Sequence, residues 1–179
     1  IAPTTGPINA QFRIRRKGFG LGVGINDFNN DGLPDIYVGN DFITNDAIYI
    51  NSTDEESQGF EDKAANYMSH QTYNAMGVDV VDINNDLRPD ITVLDMLPDG
   101  YERQKKMIGQ MNYDKYQLAL NNEYIPQYMR NTLHIHNGSI GEELLKFSEI
   151  SFMKGMAKTD WSWTPLWADY DYDGNKDLF

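Results

Sequence analysis

Three short stretches place carboxylates and amides at alternate positions. Residues 27–36 read DFNNDGLPDI, residues 82–91 read DINNDLRPDI, and residues 169–178 read DYDYDGNKDL. The first two agree at seven of ten positions, and all three follow D-x-[DN]-x-D-x-x-x-D. Short oxygen side chains at alternate positions converge on one point only if the backbone curls around it. An oxygen-only set of this kind is hard-ligand chemistry, suited to Ca²⁺ at ~2.3–2.6 Å. The candidate side-chain ligands are Asp27, Asn29, Asp31 and Asp35 in loop 1. They are Asp82, Asn84, Asp86 and Asp90 in loop 2, and Asp169, Asp171, Asp173 and Asp177 in loop 3. Position 7, which is Leu33, Arg88 or Asn175, is expected to add a backbone carbonyl.

Several details refine this expectation. An EF-hand carries a bidentate Glu at position 12, whereas here position 12 is Val38 or Val93. The flanks read as strands, so the loop sits inside a β-hairpin. Gly32 and Gly174 at position 6 allow a sharp turn, but loop 2 has Leu87 there. A left-handed backbone costs a non-glycine residue ~1–2 kcal/mol, so loop 2 is expected to bind more weakly or to turn differently. Loop 3 offers four carboxylates against three plus an Asn in the others. The expected affinity order is loop 3, then loop 1, then loop 2. The competing reading, three acidic turns without metal, leaves each group of carboxylates in uncompensated repulsion.

The elements that position the loops also repeat. Strand-like runs precede each loop (20–26, 77–81 and 165–168) and follow it (36–38, 91–94 and 178–179). After the first two copies come further β-rich runs at 47–51 and 132–137, then at 59–64 and 146–150. Short β-branched and aromatic runs between polar turns read as strands. The unit is four antiparallel strands with the acidic loop joining strands 1 and 2. The copies start 55 and then 87 residues apart. The surplus fits a helical insertion at 98–129, with helices over 102–111 and 113–121 and Pro126 ending the run.

A four-stranded unit of this period predicts an all-β fold, a partial β-propeller. The expected organisation is a linker or preceding blade at 1–18, with Phe12–Arg16 as an outer strand. A first blade at 19–73 and a second at 74–158 follow, and 159–179 is the inner half of a third. Propeller blades pack on both neighbours, so this reading makes the chain a segment of a longer protein.

Strand parity puts the insertion and the stretch entering Trp161 on the face opposite the acidic loops. Trp161, Trp163, Tyr113, Tyr116, Arg103 and Arg130 are the candidate ligand platform there. The alternative is that they pack the insertion onto the blades. His134 and His136 share one strand face and, with His70, pose a transition-metal alternative to ordinary packing. The alternating Gly18, Gly20, Gly22 and Gly24 lack dinucleotide-site spacing, and crowding of inner strands explains them better.

Composition removes other classes. The chain has 15 Lys plus Arg against 27 Asp plus Glu, a net charge of −12. That argues against a nucleic-acid-backbone binder, which needs a basic stripe, and against attraction to anionic lipid. Without the ten loop aspartates, 17 acidic residues face 15 basic ones, so the charge is mostly a count of candidate cation sites. No run approaches the ~18 apolar residues of a membrane span, and no leader pattern is present. Hydrophobic residues at 40% suffice for a packed core, and the absence of Cys excludes disulfides and thiolate chemistry.

The tandem loops, the run GVDVVDINNDLRPDITVLDMLP at 77–98, YMRN at 128–131 and DWSW at 160–163 resemble the FG-GAP/VCBS repeat family. The longer pattern is similar to bacterial relatives of the cartilage acidic protein family. The resemblance implies calcium-bearing blades of an integrin-α-type propeller of about seven blades, often with an ASPIC/UnbV domain. It also implies an exported or surface-attached protein. Extracellular calcium modules bind at ~10⁻⁴–10⁻³ M, which cytosolic calcium would leave empty. The expected function is binding of glycan or protein outside the cytoplasm. The alternative is a propeller-type polysaccharide lyase or hydrolase whose catalytic site lies outside this segment.

Overall fold

A computed structural model describes residues 18–53, 59–107, 113–138 and 146–179. The strand expected at Phe12–Arg16 lies outside them. Sheet 1 contains β1 (Phe19–Asn26), β2 (Asp35–Asp41), β3 (Ala47–Ser52) and β4 (Gly59–Asp62), antiparallel and in chain order. A helical turn α1 (Ala64–Tyr67) and the short β5 (Gln71–Thr72) lead out of it. Sheet 2 is formed by β6 (Val78–Val81), β7 (Asp90–Val93), β9 (Thr132–His136) and β10 (Phe147–Glu149), again antiparallel. Between β7 and β9 run α2 (Tyr101–Lys106), α3 (Tyr113–Asn121) and β8 (Gln127–Tyr128). The hairpin β11 (Trp167–Ala168) and β12 (Asp177–Leu178) follows. The fold is all-β, with helices confined to connections. No helix among the described residues is long and apolar enough to cross a membrane.

α3 has the expected range, while α2 spans Tyr101–Lys106 and positions 108–111 of the helix expected over 102–111 lie outside the described residues. After Asn121, ahead of Pro126, Glu123 takes a left-handed φ of 61° and Tyr124 N–H bonds back to the Ala119 carbonyl. That left-handed closure ends a helix without proline. The sequence also gave no sign of the parallel pairing of β5 with β8, which ties the return of the insertion to the junction between the sheets.

The sheets approach closely because β1 carries glycines on the side facing β6. A Cβ on Gly22 would lie 2.6 Å from Val78 Cγ2, and one on Gly24 would overlap Val80. Gly39 on β2 is as tight, 2.8 Å from the same Val78 methyl. Between the sheets lies the core: Phe28, Tyr37, Ile48, Ile50 and Met68 against Ile91, Val93 and Phe147. Phe28 belongs to loop 1, yet it is fully buried and meets Phe147 edge-on at 6.3 Å.

His134 and His136 do share a strand face, and it is the buried one. Gly138 N–H donates to His136 Nδ1, so Nε2 carries the proton and donates to the Phe28 carbonyl at 2.9 Å. Burial pushes His134 down to about 3, which keeps it neutral.

A second repeat feature couples strands 2 and 3. Asp46, just before β3, accepts the Asn40 N–H at 2.7 Å. In sheet 2 the equivalent pair is exchanged: Asn131 accepts the Asp95 N–H at 2.8 Å. Each pair therefore contains one buried carboxylate and one amide. Asp46 also receives the Tyr37 hydroxyl at 2.6 Å, and Asp95 receives the Tyr73 and Asn74 N–H groups. Burial raises Asp46 to about 7 and Asp95 to about 6, against the lowering effect of these donors.

Both folded values lie above the unfolded one, so the folded state holds extra protons from about pH 4 to 7. The stability these two groups contribute is present in full below pH 4 and is lost as pH rises through 7, with a slope of up to about 1.4 kcal/mol per pH unit for each group. Asp46→Asn should flatten part of that slope in denaturant titrations between pH 4 and 7. Asn131 shows that an amide fits the equivalent place. An unchanged slope would assign it to other groups. Gly24→Ala should destabilise by about 1–3 kcal/mol by forcing the sheets apart, read from the urea midpoint.

Candidate metal centre

Each acidic stretch forms the connection between the first two strands of its sheet, at the same end. Loop 1 follows β1, loop 2 follows β6 and loop 3 follows β11. Their bonds from backbone N–H to side-chain oxygen repeat atom for atom. The position 1 carboxylate accepts two N–H groups. Asp27 takes Asp31 at 3.1 Å and Gly32 at 2.7 Å. Asp82 takes Asp86 and Leu87, and Asp169 takes Asp173 and Gly174. The position 3 oxygen of Asn29, Asn84 or Asp171 accepts the N–H of position 5. The position 5 carboxylate accepts the N–H of position 7, at 2.8 Å in loop 1, 3.0 Å in loop 2 and 2.7 Å in loop 3. These bonds curl the backbone so that the alternate side chains face inward.

Two residues of each loop are left-handed. At position 4 these are Asn30, Asn85 and Tyr172, and at position 6 Gly32, Leu87 and Gly174. Leu87 has a φ of 65°, so loop 2 turns as the others do despite lacking glycine. It is 88% exposed, so no packing offsets the strain. Leu87→Gly should therefore raise stability by about 1 kcal/mol, the strain relieved less the entropy glycine adds to the unfolded chain. Chemical denaturation reads it, and a lower midpoint would contradict the strain.

The position 9 aspartate anchors the loop to its sheet. Asp35 accepts Phe28 N–H with one oxygen and Asn51 N–H of β3 with the other, both at 2.8 Å. Asp90 does the same with Ile83 at 3.0 Å and His136 of β9 at 2.8 Å. Asp177 accepts Tyr170 N–H at 3.2 Å. Asp35 and Asp90 are fully buried. Burial raises both carboxyls, and the other aspartates of their own loops push the same way. In loop 3, carboxylate oxygens of Asp169, Asp171 and Asp177 lie within 4.8 Å of one another. The donor set is all oxygen and anionic, which fits a hard divalent cation. Sequence reasoning missed two members of this arrangement: Phe28, which plugs loop 1 into the core, and the side chain of Arg88. The Arg88 guanidinium bonds Asp86 Oδ2 at 2.5 Å.

The residues of the candidate platform part company. Arg103 forms a two-pronged pair with Asp160, at 2.7 and 3.0 Å, and Asp160 in turn accepts the Trp161 N–H. Arg130 bonds Glu149 at 2.7 Å beside His70, between the rings of Tyr128 and Phe152. Burial alone would raise Glu149, but its bonds from His70, Ser151 and Arg130 outweigh that and hold it well below the usual carboxylate range. Arg103 thus ties the insertion to the 150–160 connection, and Arg130 ties the end of the insertion to β10 of sheet 2. Tyr116 stacks on Tyr128, their hydroxyls 3.2 Å apart. Tyr113, Trp161 and Trp163 are exposed.

Residues 27–93 match the model of the family described as FG-GAP-like repeat. The match runs from the first acidic position of loop 1 to the last residue of β7, and so contains two complete acidic loops. No curated protein and no solved structure matches the chain.

Proposed function

From residues 27–93, which match the FG-GAP-like repeat model, we infer a run of propeller blades whose strand 1–2 loops hold calcium. On this reading the module binds glycan or protein outside the cytoplasm. The observation that carries it is the same loop, with the same internal hydrogen bonds, at the same place in three successive sheets. An isolated acidic turn arises easily, whereas three identically closed ones leave the same inward-facing oxygens each time.

The blade reading draws support from how the sheets stack. Val80 of β6 sits over Gly24 of sheet 1. Counting from the loops, Trp167 of β11 is equivalent to Val80, and Asp79 is equivalent to Gly24. Trp167 N–H donates to Asp79 at 2.8 Å, and its indole N–H donates to Thr92 Oγ1 at 2.8 Å. One displacement therefore relates sheet 1 to sheet 2 and sheet 2 to the hairpin. Val23 and Ile25, the equivalents of Val78 and Val80, are exposed on β1, where a further sheet of the same kind would pack. The blades then span 19–73, 74–158 and 159–179, and the remaining blades are the nearest partners.

Calcium is held by Asp27, Asn29, Asp31 and Asp35 with the Leu33 carbonyl, and by Asp169, Asp171, Asp173 and Asp177 with the Asn175 carbonyl. Loop 2 is the weakest of the three. The ligand face is the opposite one, where Tyr113, Trp161 and Trp163 offer exposed rings beside the fastened insertion.

Thermal melting in calcium against chelator tests the core of this reading. A ligand of the native state stabilises it by ~2.7 kcal/mol at 100 times Kd, so calcium should raise the Tm by several degrees. Asp169→Asn with Asp171→Asn should remove most of the contribution of loop 3. Equal melting in calcium and chelator would remove the metal from the function. A glycan array on the full-length protein, run beside a lyase assay, separates binding from catalysis.

A further inference from the structure

Loop 2 departs from its two counterparts at position 7. In loop 1 the Asp31 Oδ2 receives the neutral Asn29 amide at 2.8 Å, and in loop 3 the Asp173 Oδ2 receives the neutral Asn175 amide at 3.1 Å. In loop 2 the Asp86 Oδ2 receives the Asn84 amide at 2.9 Å and also a guanidinium N–H of Arg88. A full positive charge thus lies on the carboxylate that the other loops leave to a neutral donor.

The arginine is held in place by the sheet. Its Nε–H donates to the His136 carbonyl at 3.1 Å. The His136 N–H donates to Asp90, the position 9 anchor of the same loop. One residue at the end of β9 therefore clamps both the anion at the base of loop 2 and the cation at its rim. The Arg88 and Asp86 side chains are 36% and 23% exposed, so solvent screens the pair only in part.

We propose that Arg88 is the built-in cation of loop 2: its guanidinium compensates Asp86 in place of a divalent ion, and calcium enters this loop only by displacing it. This rests on the reading that loops 1 and 3 bind calcium. A divalent cation on Asp86 would sit within a few Å of the guanidinium, and at that range like charges repel strongly in a partly desolvated site. Loop 2 then keeps its shape at calcium concentrations that leave its neighbours empty. That matters locally, because Asn85 of loop 2 donates to the Gly174 carbonyl of loop 3 at 3.1 Å. A loop already set by arginine presents a fixed support to the loop that carries the most carboxylates.

The test is Arg88→Gln, which removes the charge and retains a donor for the His136 carbonyl. Calcium binding to the full chain is followed by equilibrium dialysis, and melting is followed in chelator. The variant should gain an additional calcium site, at least about tenfold tighter than any loop 2 binding in the unmutated chain. In chelator it should melt about 2–4 °C lower, and calcium should restore the loss. Adding Asp86→Asn should abolish the gained site, which locates it in loop 2. The same number of sites and the same chelator Tm in both proteins would overturn the proposal. Absence of calcium binding by the unmutated chain would overturn the proposed function instead, and the chelator comparison would still decide the role of Arg88.

Discussion

The structure depends on a carboxylate that does two jobs at the first residue of the second strand. Asp35 closes its loop through Phe28 N–H and grips β3 through Asn51 N–H, and Asp90 closes its loop through Ile83 and grips β9 through His136. Each is the point where loop, second strand and third strand meet. Each is also fully buried, with other aspartates of the same loop pushing its carboxyl upward. A buried carboxylate is worth most when ionised and fully bonded, and costs most when its neighbours repel it. A cation at the rim of the loop reverses the sign of that interaction. Metal binding on the proposed reading is therefore not an ornament on the loop; it strengthens the bonds that join the loop to the second and third strands.

The second constraint is how near the sheets lie. β1 and β6 meet through Gly22 and Gly24 against Val78 and Val80, with no room for a methyl on either glycine. Where sheet 2 meets β11, the small residue is replaced by Asp79 and the valine by Trp167. The contact changes from close packing to a pair of hydrogen bonds. The same displacement is thus held by dispersion at one interface and by polar bonds at the next. A repeat of this kind conserves geometry while exchanging chemistry, as the reversed pairs Asn40–Asp46 and Asp95–Asn131 also do.

What was legible in the sequence followed from periodicity and local turn chemistry. The strands of both sheets, the placement of the loops between strands 1 and 2, and α3 over 113–121 all follow from short-range pattern. Contacts formed by distant residues were not legible. β5 and β8 are two residues each, too short to carry a pattern, and their pairing depends on where the insertion returns. Phe28 reads as a variable loop position, and only the packed sheets show it filling the core. Arg88 was counted for its carbonyl, because nothing in the motif tells that His136, 48 residues on, would orient its side chain. Leu87 was read through its cost alone. The loop accepts that cost because Asp82 accepts the N–H groups of Asp86 and Leu87 and Asp86 accepts that of Arg88, which fixes the turn before and after Leu87.

The molecule meets one problem, carboxylates held close to or inside a sheet, in three ways. Glu149 has a permanent partner, since Arg130 and His70 keep it ionised at the insertion end of sheet 2. Asp46 and Asp95 are bonded by neutral hydroxyl and backbone N–H donors, and burial moves them toward the neutral form. The loop aspartates are too numerous for either answer. Protonating several at once would forfeit the acceptors that shape the turn, and one arginine per loop compensates one charge. On the proposed reading an exchangeable divalent ion is the remaining compensation, and loop 2, with Arg88 on Asp86, stands between the permanent and the exchangeable solution. The order of metal demand proposed for the loops follows from how much charge each leaves uncompensated: most in loop 3, less in loop 1, least in loop 2.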